Sequence, residues 1–393
     1  MMRKFKKIFL VTGSRAEFYL NYNLIKLLKS KPKVKFKLLV TGSHLSKKHG
    51  LTVNNIIKKG IYVDKKIVLP LKNSSPSETL RDIQVGIKSF SNYLKINMPE
   101  LVILHGDRYE LLAPALACFF MNIPIGHISG GEVTHGSKDD IVRHVLTKIS
   151  SLHFVSTEPH KKRVIQLGEN PKTVFNVGDL GIERINELKN STQLIKKIDL
   201  QKKLNFQFNK RNILVTLHPD SYQTRSEILN NMRVILKSLS KLKNTNFLFT
   251  SPNADLNNDI IQKEFKRFVK KNSNKARYIA SLGDINYLSV LNYIDCVLGN
   301  SSSGIVEVPE FKIPTINIGN RQSGRATSKS VINCIFTERS IDKAIKKNFN
   351  KKFRSRLGKF KNPYKSANSS KKIVEIIQKT NTRKIYNKIF YDI

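Results

Sequence analysis

Short apolar runs recur along the chain, and each closes on Gly, Ser, Thr or Asp: KIFLVTGS, FKLLVTGS, LVILHGD, IPIGHIS, LHFVST and VFNVGD in the first half. Runs that are apolar almost throughout predict strands covered on both faces. Between them lie longer segments with apolar residues at helical spacing, such as Tyr19 to Leu28 and Leu111 to Phe120. Strand and helix in alternation predict a parallel sheet with crossover helices. A polar, lysine-rich stretch from about Ile182 to Asn209 has no strand pattern and marks a junction. A second series follows: NILVTLHP, NFLFTSPN, RYIASLG, CVLGNSSSG and PTINIGN. The expected fold class is α/β, with two doubly wound Rossmann-like domains facing a cleft. The expected domains are residues 1–182 and 183–360, followed by a basic helical segment, 361–393.

Ligands of open parallel sheets bind at the carboxyl ends of the strands. Polar residues gather there in both halves: Ser14-Arg15, Ser43-His44, Asp107-Arg108, Ser129 to Glu132, His218, Ser251 to Asn253, and Asn300 to Ser303.

Composition narrows the chemistry. The 393 residues carry 70 Lys and Arg against 29 Asp and Glu, a formal charge of +41. That excess suits an anionic partner. The lysines are scattered over amphipathic segments and no nucleic-acid motif is present, so an anionic small substrate is expected, not nucleic acid. Cys118, Cys296 and Cys334 are widely spaced and sit in apolar runs, as buried thiols of a reducing compartment would. The apolar run near the start, Ile8 to Val11, is too short for a signal peptide, and no run reaches the roughly 18 apolar residues that a membrane span needs. The expectation is a cytoplasmic protein with no membrane association.

Against this basic background, residues 100–158 hold Glu100, Asp107, Glu110, Glu132, Asp139, Asp140 and Glu158 against only Arg108, Lys138, Arg143 and Lys148. Asp107 ends an apolar strand, SGGE follows the next one, and Asp139 and Arg143 share a helix face. Carboxylates converging on one cleft suit proton transfer at carbon, one as base and another as acid. A metal set of His127, Glu132, His135, Asp139 and His144 matches no tight ligand spacing, so no metal is expected. In the second half, GNSSSG follows a strand and opens a helix, an anion site of backbone N–H groups and hydroxyls. Glu307 lies about one turn further on. His218, the only histidine after residue 160, follows a strand, as Arg15 does in the first half.

Together, VTGSRAEF, HGDRYE, GGEVTHGSKDDIVRHVLTK, FVSTEPHKKRVIQLGE, LHPDS, SPNAD, GNSSSGIVEVPEF and NIGNRQSGR resemble the hydrolysing UDP-N-acetylglucosamine 2-epimerase family. The similarity spans roughly residues 6 to 375 and is nearest the branch serving sialic or legionaminic acid. It implies a glycosyltransferase-B-like fold whose C-terminal helix packs back on the first domain. It also implies no cofactor, a UDP-amino-sugar substrate and a homodimer. By this resemblance Asp107, Glu132, Asp139, Arg143 and His218 are catalytic. Arg15, Glu17, Asn253, Ser301, Ser302, Gly304, Glu307 and Arg321 hold the substrate and its UDP.

Two departures stand out. Glu17 replaces an aspartate often seen after RA. Ser129 stands where many relatives in the wider group carry a glutamate proposed as acid or base. Either the catalytic roles shift onto Glu132, Asp107 and Asp139, or the substrate differs at a ring substituent, a short neutral side chain leaving room for a bulkier or acetamido-bearing C4. The implied reaction removes the C2 proton, expels UDP to leave a glycal, and adds water at C1. A UDP-sugar glycosyltransferase of the same fold is the alternative.

Overall fold

Two parallel sheets organise the computed structural model, which describes residues 5–71, 75–135, 137–220, 222–252, 257–365 and 367–393. The first sheet contains β1 (Lys6–Thr12), β2 (Val34–Val40), β3 (Lys65–Lys66), β4 (Leu101–His105), β5 (Ile125–Ile128), β6 (Leu152–Val155) and β7 (Val174–Asn176), in the order β3-β2-β1-β4-β5-β6-β7. The second contains β8 (Arg211–Thr216), β9 (Thr245–Thr250), β10 (Ala276–Ile279), β11 (Cys296–Gly299), β12 (Thr315–Ile318) and β13 (Val331–Cys334), in the order β10-β9-β8-β11-β12-β13. Strand order reverses between β1 and β4 in one sheet and between β8 and β11 in the other. Doubly wound sheets open a ligand crevice at these reversals.

The strand residues divide by alternation. In the first sheet Ile8 and Leu10 pair in register with Val34–Val40 and with β4, Leu10 lying opposite Leu38 and Ile103. They face Ile373, Val374 and Ile377 of the helix Ser369–Lys379. Phe9 and Val11 point the other way, onto Phe90 and Leu94 of the helix Pro76–Asn97 and Ala113 and Ala117 of the helix Leu112–Phe120. In the second sheet Ile213, Val215, Phe247, Phe249 and Leu298 pack with Ile228, Met232, Ile235 and Phe265 from the flanking helices. Both faces are covered, which is why these strands read as continuous apolar runs. The three cysteines are buried thiols.

Local signals set the helix starts. Ser75 caps Pro76–Asn97, with Pro76 at the first helical position, and Thr224 forms a reciprocal capping box with Glu227 at Arg225–Ser240. Gly86, inside a helix, is there for contact: a Cβ on it would stand 2.6 Å from Ala113 Cβ.

The chain divides into one unit of Met1–Glu132, Lys138–Arg184 and Ser366–Ile393, and another of Val133–Ser137 and Ile185–Lys365. The stretch read as polar and strandless from 182 to 209 is helical over Leu180–Lys189 and Lys197–Leu204. The C-terminal helix Ser369–Lys379 is fixed within the first unit at both ends. Glu183 accepts the backbone N–H and hydroxyl of Ser370, and the Lys6 ammonium donates to the carbonyls of Ile377, Gln378 and Thr380. Residues 133–137 group with the second unit, where the His135 N–H donates to Ser323 O at 3.2 Å. Among the described residues no helix is long and apolar enough to cross a membrane.

Candidate functional site

In the first unit the carboxyl ends of β4 and β5 build an acidic corner around one arginine. Asp107 follows β4 after Gly106, whose φ of 92° turns the chain out of the sheet. Arg143, on the helix Asp139–Ile149, is 1% exposed. Its guanidinium donates to the Asp107 carboxylate, to Asp140 at 3.1 Å and to the carbonyl of Glu132 at 3.0 Å. Glu132 is buried and Asp139 half-buried. A fixed guanidinium fork with three acceptors holds the strand end, the loop after β5 and the helix in one arrangement. Spacing pointed to Asp139 as the arginine's neighbour, and Asp140 joins it as a second acid on the same turn.

Histidines tie the corner together from behind. His105 Nδ1 lies 2.9 Å from Asn21 Oδ1, and its Nε2 lies 3.0 Å from Ser129 Oγ. Burial pulls its pKa down to about 4 against the pull of Glu132 and Asp107, so the ring is neutral. His127 lies 2.8 Å from the Gly106 carbonyl and 3.1 Å from Thr147 Oγ1, with its pKa lowered to about 3, mainly by burial. Among the described residues no three His, Cys, Asp or Glu side chains are grouped to hold a metal ion. Ser129, at φ 67°, is a backbone outlier for a non-glycine residue and keeps its hydroxyl on His105.

Two local features of this unit follow from close packing. The glycines of SGGE sit in crowded surroundings. Their close neighbours are the protein itself: a Cβ on Gly131 would meet His160 O at 2.4 Å, and one on Gly130 would meet Thr147 Oγ1 at 2.8 Å. Glu17 was placed among the substrate contacts. It is 6% exposed, and its carboxyl accepts the Gly13 N–H at 2.8 Å and the Ser14 hydroxyl at 3.2 Å. It shapes its own turn, from which half-exposed Arg15 begins the helix Arg15–Leu20.

In the second unit the ends of β8 and β11 meet. Gly299 has φ 151°, and a Cβ there would lie 1.7 Å from Thr216 O, so only glycine fits this crossing. The next residue, Asn300, then pairs reciprocally with His218. The His218 N–H donates to Asn300 Oδ1 at 2.7 Å, and Asn300 Nδ2 donates to His218 O at 2.9 Å. The Asn300 carbonyl accepts from Gln322 at 2.9 Å and from Arg321 at 3.4 Å. Burial and Arg321 hold the His218 pKa at about 3, so this imidazole is neutral.

The serine loop also differs from its sequence reading. The helix after it, Ser303–Val306, is a single turn followed by a 3₁₀ turn at Val308–Phe311. Ser302 is exposed and Ser301 half-buried. Ser303 carries the contacts: its hydroxyl donates to Glu307 and also meets the Tyr287 hydroxyl. Burial pushes the Glu307 carboxyl upward, and the Ser303 bond partly offsets this. Gly304 lets the turn sit on β12, since a Cβ there would be 2.7 Å from Thr315 Cγ2. Asn253 lies outside the described residues. Asn300, Ser303 and Asp140, named in the sequence only within polar or acidic runs and given no role there, are organising residues here. The signal for Asn300 was available: an amide directly after a glycine that ends a buried strand.

The family profile described as UDP-N-acetylglucosamine 2-epimerase matches residues 26–378. The chain is 39% identical over 391 residues to the polysialic acid biosynthesis protein P7 of Escherichia coli, covering 99% of this chain and 98% of that protein. It is 38% identical over 349 residues to the GDP/UDP-N,N'-diacetylbacillosamine 2-epimerase (hydrolyzing) of Campylobacter jejuni, covering 89% of each. The crystal structure of UDP-GlcNAc 2-epimerase from Neisseria meningitidis bound to UDP-GlcNAc superposes with a TM-score of 0.82, at 20% identity over 95% of this chain and all of that one. That likeness speaks for the fold, and the sequence matches speak for the family. With two doubly wound sheets, an arginine-centred group of carboxylates and this coverage, the chain belongs to the UDP-N-acetylglucosamine 2-epimerase family and is an enzyme.

Proposed function

We propose that the chain converts a UDP-activated 2-acetamido sugar and water to UDP and the free N-acetylmannosamine-type sugar, feeding sialic or legionaminic acid synthesis. The observation that carries this reading is the Arg143 guanidinium holding Asp107 beside Asp140 and the Glu132 loop. Proton removal from carbon needs a carboxylate base, and the return of a proton from the other face needs a separate acid. Asp107 is the base, and Glu132 or Asp139 is the acid. As the C2–H bond breaks, its electrons form the C1=C2 double bond and the C1–O bond breaks, releasing UDP. Water then adds at C1 and a proton at C2. His218, Arg321 and the Ser301–Ser302 turn hold the departing diphosphate, and Glu307 holds the ribose hydroxyls. A bound dianion favours protonation of His218, which is neutral without it.

The relative that acts on a diacetamido sugar supports a substrate with an acetamido group at C4. Ser129 supports it too, because it presents a short, uncharged side chain tied to His105. The family assignment favours epimerisation over glycosyl transfer. The protein works in the cytoplasm, as a homodimer. The test is a proton NMR assay in D₂O with UDP-N-acetylglucosamine and UDP-2,4-diacetamido-2,4,6-trideoxyglucose side by side. UDP release with a free manno sugar deuterated at C2 is expected, faster for the second substrate. Turnover without deuterium at C2 would overturn the mechanism, and preference for the first substrate would overturn the reading of Ser129.

A further inference from the structure

The loop that carries Glu132 is held by a second arginine, which the chemistry above does not use. Arg163 lies on the helix Glu158–Gln166, which follows β6. Its guanidinium donates to the Gly131 carbonyl, and Arg143 donates to the Glu132 carbonyl at 3.0 Å. Two different helices thus hold two successive carbonyls. Peptide units are planar, so each residue has two soft torsions, one toward each flanking plane. The Gly131 carbonyl belongs to the plane before the Glu132 Cα, and the Glu132 carbonyl to the plane after it. Holding both planes fixes φ and ψ of Glu132, and with them the direction in which its side chain leaves the backbone.

The same helix fixes where the loop lies. His160, Arg163 and Val164 fall on one helix face, at i, i+3 and i+4. A Cβ on Gly131 would stand 2.4 Å from His160 O and 2.8 Å from Val164 Cγ2, so the loop backbone rests directly on this face. Thr157 caps the helix by accepting the His160 N–H at 3.3 Å. Arg163 is half-buried, and among the described residues no carboxylate pairs with it, so its guanidinium serves the carbonyl and not an ion pair. The anchor sits at an exit. Glu132 is the last residue of its unit before residues 133–137, which group with the second unit. A loop end joined to a segment of another unit keeps its geometry only if its own unit holds it. Glu132 is 4% exposed, and both it and Asp107 lie close enough to His105 to act on its ring.

We propose that Arg163 is a positioning residue of the reaction: with Arg143 it fixes the two peptide planes that flank Glu132, and so aims the Glu132 carboxyl at the reacting carbon. This rests on the UDP-sugar reading above and commits to Glu132 as the acid within it.

The experiment is a double-mutant cycle of Arg163→Met and Glu132→Gln in the full chain, read by turnover of the two UDP-sugars named above. Arg163→Met is expected to lower kcat at least about tenfold, while KM and the affinity for UDP alone change less than about twofold. In the Glu132→Gln background it lowers kcat no further, because there is no carboxyl left to aim. Arg163→Lys keeps a donor for the carbonyl and recovers part of the loss. A purely structural role would lower stability and leave kcat of the folded protein intact. Wild-type kcat in Arg163→Met, wild-type kcat in Glu132→Gln, or losses that multiply in the double variant overturn the proposal. If Arg163→Met does not fold, Arg163→Lys takes its place in the cycle. Hydrogen exchange without ligand separates the anchor from the functional reading. Amides of residues 129–134 are expected to exchange at least about tenfold faster in the Arg163 variant. Unchanged exchange there overturns the anchor. Faster exchange, in a protein whose wild type turns over neither UDP-sugar, upholds the anchor and overturns the UDP-sugar reading instead.

Discussion

Arg143 and Asp107 are 36 positions apart in the chain and form an ion pair in which the arginine is 1% exposed and the aspartate 25%. The asymmetry shows what each does. The arginine is structural to the corner, and the aspartate keeps one side open to whatever enters. Asp107→Asn retains an oxygen for the guanidinium and removes the base. It is expected to fold normally and to lose at least roughly 100-fold in rate. Near-wild-type turnover in the NMR assay would remove Asp107 from proton transfer.

Arg143→Met leaves Asp140 and the Glu132 carbonyl without their shared donor. The expected cost is about 2–3 kcal/mol, less than for a fully buried pair because water reaches Asp107. Urea unfolding measures this, and an unchanged midpoint would contradict it. Arg143→Lys should restore part of the stability and little of the activity, because a point charge cannot bridge three acceptors as a planar fork does.

Acid should destabilise the protein well before its carboxylates are protonated. His44 and His105 are held at about 4, and His127 and His218 at about 3, all by burial. Their folded pKa values lie below the unfolded value, so the unfolded state binds more protons and stability falls as pH drops below that value. The expected loss is about 1.4 kcal/mol per histidine for each pH unit below about 6.5. Glu17 opposes this, with the reverse sign, above the unfolded carboxyl range. Urea midpoints at pH 7, 6 and 5 check it; a flat profile would show that the rings are protonated in the folded state.

Gly86→Ala sets two effects of opposite sign against each other. Alanine gains about 1 kcal/mol of helix propensity over glycine. Its Cβ would stand 2.6 Å from Ala113 Cβ, and parting two packed helices costs about 1–3 kcal/mol. The contact should win, giving a net loss near 1 kcal/mol. The double variant Gly86→Ala with Ala113→Gly should recover most of it, as read by thermal unfolding.

Asn300→Ala strips His218 of both its backbone partners, which are buried. Two unpaired groups cost about 2–4 kcal/mol. The loosened His218 should raise KM for the UDP-sugar by at least about tenfold, since misplacement by a fraction of an ångström is felt in binding. Titration with UDP alone separates this from any effect on chemistry. An unchanged affinity would mean that Asn300 only stabilises the fold.

The apolar runs determined the two sheets by themselves. A strand such as Leu101–His105, covered on both faces, has to be apolar throughout, and that pattern needs no knowledge of its neighbours. The ends of those strands were equally legible: Asp107, His218 and Asn300 mark them because polar residues are tolerated only where the sheet stops. Other features depended on which side chains the folded chain brings within reach. Arg143 meets Asp107 because β4 and the helix Asp139–Ile149 share one end of the first unit. Glu17 turns inward onto Gly13, although the next-but-one residue back, Arg15, is half exposed. Gly131 is small for His160, and Ser303, not Ser301 or Ser302, holds Glu307. Sequence spacing records the period of an element, but the direction and partner of a side chain follow from packing between elements distant in the chain.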